Sequence, residues 1–105
     1  MQDIEVEEFA KLNKATTDVQ LLDVREKIEF HTFNIGGINI PLGQLSQLIA
    51  EEELDLDPEK TIIVICQRGL RSKTAKQILI NAGYPNTRNL LGGLLKLQRL
   101  TKPTY

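Results

Sequence analysis

The sequence predicts an α/β domain built on a four- to five-stranded, mainly parallel sheet with helices on both faces. Strand-like and helix-like segments alternate along the 105 residues. Two segments, VQLLDV (19–24) and TIIVIC (61–66), are near-continuous apolar runs rich in branched side chains, as expected of strands covered on both faces. The segments between carry apolar residues at helical spacing.

Taken in order, DIEV (3–6) is a candidate fifth strand, and VEEFAKLN (6–13) places Val6, Phe9, Ala10 and Asn13 on one helical face. The strand over 19–24 follows. GINIP (37–41) is a weaker strand candidate, and GQLSQLIAEEEL (43–54) aligns Leu45, Leu48, Ile49 and Glu52 along a third helix. Asp57-Pro58 is expected to end that helix and lead into the strand over 61–66. SKTAKQILINAG (72–83) opens on Ser72, a favourable N-cap, and closes on Gly83, suited to a left-handed C-cap. Tyr84-Pro85-Asn86 makes a turn before a last strand candidate, TRNLL (87–91). No repeat, linker or low-complexity tract divides residues 1–105, so a single domain is expected.

Composition narrows the function. Thirteen basic and fourteen acidic residues give a net charge of −1, so no overall field favours nucleic acid or anionic membrane. No apolar run approaches a membrane span, and the start MQDIEVEEFAKL lacks a signal-peptide pattern, so the cytoplasm is the expected location. One cysteine cannot form an internal disulfide, and with one histidine it cannot assemble a Cys/His zinc site.

That cysteine, Cys66, ends the apolar run and is followed by QRGLRS (67–72). Ligands in open α/β sheets bind beyond the carboxyl ends of strands, and a short loop running into a helix there aims backbone N–H groups at the sulfur. Lowering a thiol from its ordinary value of about 8.5 to below 7 requires about 2 kcal/mol of thiolate stabilisation. A helix N-terminus supplies about 0.3–1 kcal/mol, up to ~2 when partly buried. Arg68 and Arg71 are expected to add attraction. A lone cysteine is also a common core residue, but a polar, cationic, glycine-containing turn after an apolar strand is how a nucleophile is presented to an anion.

The segment Cys66, Gln67, Arg68, Gly69, Leu70 and Arg71, with Ser72 at the helix, resembles the active-site loop of rhodanese-type sulfurtransferases. LLDVREKIEF (21–30) is similar to that family's Asp-Val-Arg strand end and short helix, GGINIPLGQL (36–45) to its Ile-Pro stretch, and NLLGGLLKL (89–97) to its closing Gly-Gly helix. The resemblance covers about residues 4 to 97. It implies a rhodanese-like fold and a Cys66 persulfide that carries sulfur from thiosulfate or another persulfide to a thiol, cyanide or protein acceptor. Residues 67–72 would hold the sulfur, with Arg68 and Arg71 attracting the donor, and no metal or organic cofactor would be needed. Asp23 and Arg25 would brace the region through ion pairs, the alternative being an exposed surface pair.

Two further readings accompany it. GGINIP, with Asn34 before it, is similar to rhodanese domains of the adenylating enzymes of molybdopterin and thiamin biosynthesis. That similarity implies a relay module serving a sulfur-carrier protein or an adenylating enzyme. Related phosphatases and arsenate reductases use Cys-x5-Arg, whereas the position completing that loop here is Ser72, which disfavours phosphate or arsenate chemistry. His31 suggests a Cys/His dyad but is expected to be a solvated helix residue; the family's Gly-His-Ile is replaced by Phe33, Asn34 and Ile35. Gly36-Gly37 and Gly92-Gly93 make no nucleotide fingerprint and are read as turn and packing positions. The acidic run 51–53 is read as a solvated face.

Overall fold

A computed structural model describes residues 2–12 and 18–101 of the chain. The elements run α1 (Val6–Ala10), β1 (Val19–Asp23), α2 (Lys27–Thr32), β2 (Ile38–Asn39), α3 (Leu42–Ala50), β3 (Thr61–Ile65), α4 (Leu70–Asn81), β4 (Thr87–Asn89) and α5 (Gly93–Thr101). The four strands form one parallel sheet in the order β2-β1-β3-β4. The candidate fifth strand shrinks to a single parallel bridge between Ile4 and Leu90. The position expected for Asn13 lies outside the described residues.

The central strand shows why near-continuous apolar runs were needed. Successive side chains of a strand point to opposite faces. Ile62, Val64 and Cys66 join Leu22, Leu45, Ala75 and Leu79 beneath α3 and α4. Ile63 and Ile65 join Ile4, Val6, Phe9, Leu90, Leu94 and Leu97 beneath α1 and α5. Both faces are therefore core, and a polar residue in β3 would lose its water whichever way it pointed.

Three helix boundaries differ from the sequence expectation, the first being α1, which stops at Ala10 with Lys11 as its C-cap. Helix α3 stops at Ala50 rather than continuing to Leu54, because Glu52 adopts φ 57°. The Glu53 N–H then reaches Leu48 O and the Glu52 N–H reaches Ile49 O. This is a Schellman-type ending made without glycine, so sequence gave no stop signal. Asp57-Pro58 belongs to the approach to β3, after Leu54 and Leu56 have packed into the core. Helix α4 begins at Leu70, two residues before the expected start, because Gly69 takes the N-cap position at φ 87°. Gly83, at φ 99°, ends it in the left-handed conformation expected of that residue.

No helix among the described residues is long and apolar enough to cross a membrane.

Candidate active site

Strand order reverses between β1 and β3: β1 leads outward to β2 on one side and β3 to β4 on the other. The crevice beyond the carboxyl ends at such a reversal is where open α/β sheets bind ligands. Asp23, the last residue of β1, lies in register with Ile65, the last of β3. Cys66 comes next.

The Cys66 side chain is buried, and it lies against a cavity of about 260 Å³ shared with Gln67, Arg68, Leu70 and Arg71. The Gly69 N–H donates to Sγ at 3.0 Å and the Ser72 N–H at 3.3 Å, while Ser72 Oγ lies 3.2 Å away. Burial pushes the thiol pKa up. The Ser72 hydroxyl, the Ser72 N–H, and the Arg68 and Gly69 N–H groups together outweigh it and leave the pKa below the ordinary value. The earlier helix start brings this about: Ser72 occupies the third helical residue, where its N–H is still free of an intrahelical partner. Its hydroxyl does not cap the helix as expected. It turns inward and donates to Asn89 Oδ1.

Asn89 is a site residue that sequence reading missed. Buried in β4, it accepts from Ser72, and its Nδ2 donates to Gly69 O at 3.1 Å. It thus ties both ends of the N–H cradle to the sheet. An asparagine, a residue depleted in strands, inside the strand candidate TRNLL was the available signal. The other side of the loop is held by α5, whose Leu94 and Leu95 N–H groups donate to Cys66 O (2.9 Å) and Gln67 O (3.0 Å). A Cβ on Gly93 would come within 2.5 Å of both of these carbonyl oxygens, so the Gly92-Gly93 pair serves close backbone packing.

The two arginines divide in function. Arg71 is held by Glu29 in a two-pronged pair, Nη1 to Oε1 at 2.7 Å and Nη2 to Oε2 at 3.0 Å. The Arg71 hydrogen bonds, against burial, bring the Glu29 carboxyl down to about 2. The guanidinium pKa is raised first by Glu29 and further by the Cys66 charge. Arg71 therefore shares its charge with Glu29 while still lining the Cys66 cavity. Arg68 is exposed at the cavity mouth and has no carboxylate partner among the described residues. Glu29 was the second residue missed; its partner lies 42 positions away, beyond any local pattern.

Asp23 and Arg25 form a buried pair, 2.8 Å between Oδ2 and Nη2. They are not the exposed surface pair considered as the alternative. Arg25 also donates to Phe33 O at 2.7 Å and more weakly to Glu29 O, closing the C-terminal end of α2. His31 is exposed on α2, edge-on to Phe30, and takes no part in the site.

The family model described as Rhodanese-like domain matches residues 5–100. The chain belongs to the rhodanese-like family. Its rhodanese-like sequence is 35% identical over 86 residues to the adenylyltransferase and sulfurtransferase uba4 of Ogataea parapolymorpha, covering 81% of the chain and 21% of that protein. It is 40% identical over 78 residues to YqhL of Bacillus subtilis, covering 73% of the chain and 59% of YqhL. The chain thus spans about a fifth to three-fifths of these relatives. A rhodanese-related protein of Thermoplasma volcanium superposes with TM-score 0.80 at 27% identity, covering 98% of this chain and 96% of that one.

Proposed function

We propose that the chain is a sulfurtransferase in which Cys66 carries sulfur as a persulfide. The single observation behind this reading is the set of donors around Sγ, which lowers the thiol pKa in a cavity of about 260 Å³. In the first step the Cys66 thiolate attacks the outer sulfur of a donor such as thiosulfate, drawn in by Arg68. The S–S bond of the donor breaks, sulfite leaves with the electron pair, and Cys–S–S⁻ remains. In the second step an acceptor thiolate or cyanide attacks the outer sulfur and restores the Cys66 thiolate, so charge and sulfur balance without an oxidant. With one cysteine in the chain, discharge needs an external acceptor.

Cradle N–H groups of residues 67–72 suit the outer sulfur, and Asp23 and Arg25 act only by fixing the neighbouring strand end. A relay to a protein acceptor is the second reading, favoured by the relative whose name joins adenylyltransferase and sulfurtransferase. Phosphoryl or arsenate chemistry fits less well: Ser72 stands where the longer loop has arginine, and Arg71 is committed to Glu29.

Intact-protein mass after incubation with thiosulfate or a low-molecular-weight persulfide tests the proposal. Gain of one sulfur atom, removed by cyanide and absent in Cys66→Ser, is expected. No gain from either donor would overturn it.

A further inference from the structure

Beside the loop, a second and larger depression of about 730 Å³ runs between α1 and α5. Its floor is apolar, made by Val6, Leu95 and Leu100, and Arg68, Lys96 and Arg99 line it with positive charge. Arg68 also lines the Cys66 cavity, so the two depressions share a wall. Leu95, on the floor, donates its N–H to Gln67 O, which fixes the groove against the loop.

The charge is available to a ligand. Neither Arg68 nor Arg99 has a carboxylate partner among the described residues. Lys96 meets Glu5 only at 3.8 Å, with both side chains more than half exposed, a pair of little strength. Among the described residues, Glu7 is the one acidic residue in the lining. Resting on the sulfurtransferase reading above, we infer that this groove docks an acidic segment with apolar side chains, belonging to the protein that accepts sulfur from Cys66.

Three observations select that occupant. The volume and open apolar floor exceed what a small anionic donor can fill. Leu100 is 43% exposed beside Arg99, an arrangement suited to an apolar anchor flanked by carboxylates. Nucleic acid is disfavoured because, among the described residues, the lining holds no aromatic ring for base stacking, and the chain carries net charge −1. Docking there would lead the acceptor's thiol past Arg68 to the cavity mouth.

The test uses the full chain carrying Cys66→Ser, which retains the groove and needs no sulfur chemistry, so its outcome is independent of persulfide formation. Two fluorescent peptides of equal length and leucine content, one rich in Glu and one in Lys, are titrated by anisotropy alongside a single-stranded RNA of matching charge. The acidic peptide is expected to bind at least tenfold tighter than the basic one, to weaken as salt rises, and to lose that preference in Lys96→Glu/Arg99→Glu. Arg99→Gln is expected to give an intermediate loss, and circular dichroism checks that each variant folds. Equal affinity for the two peptides, undetectable binding of both, a preference that survives charge reversal, or tighter binding of the RNA would each overturn the inference.

Discussion

Replacing Ser72 by alanine perturbs the thiol through one atom, and its effect can be sized from the hydrogen bonds. In the neutral site the Ser72 hydroxyl donates to Asn89 Oδ1, leaving an Oγ lone pair to accept from the thiol. When Cys66 ionises, the hydroxyl has to swing its proton to the sulfur and give up Asn89. A hydrogen bond to a charged group contributes about 1.5–3 kcal/mol and a neutral one about 1 kcal/mol. The exchange therefore favours the thiolate by about 0.5–2 kcal/mol. Ser72→Ala keeps the N–H bonds from residues 69 and 72, so the thiol pKa should rise only by what the hydroxyl contributes. It also removes the neutral Ser72–Asn89 hydrogen bond, at about 1 kcal/mol of stability. Alkylation rate against pH reads the first effect and urea unfolding the second. An unchanged alkylation profile with the expected stability loss would show that the hydroxyl stays on Asn89 throughout, and the swing would be refuted.

Glu29, held at about 2, stabilises the folded state above its unfolded value of about 4.3 and loses that contribution as pH falls towards 2. Because the Glu29 and Arg71 side chains are about a third exposed, the pair is worth at most about 1 kcal/mol. Glu29→Gln should therefore unfold with a flatter acid profile between about pH 5 and 2, and parallel profiles would contradict the pairing. Arg25→Ala leaves the Asp23 carboxylate buried without its partner and should cost about 3–5 kcal/mol in urea unfolding. A loss below about 1 kcal/mol, the range of a surface pair, would mean that water replaces the guanidinium.

Sequence by itself determined the sheet and the identity of the thiol. Apolar runs over 19–24 and 61–66 can be satisfied only between two covered faces, and a cationic, glycine-bearing turn after such a run marks the strand end where ligands bind. These signals are local, arising from side-chain periodicity and backbone preference within a few residues. Helix ends were less legible where a residue broke its usual preference: Glu52 ends α3 in a conformation that glycine commonly supplies. Gly69 starts α4 earlier than its apolar pattern shows. Tertiary structure decided the partners. Only the fold brings Glu29 to Arg71 across 42 positions, Asn89 to Ser72 across 17, and α5 onto the carbonyls of the Cys66 loop. Hydrogen bonds and ion pairs act over a few ångströms of space whatever the distance along the chain. Pattern in one sequence can therefore locate the candidate nucleophile, while the groups that set its charge become visible only once the strands are side by side.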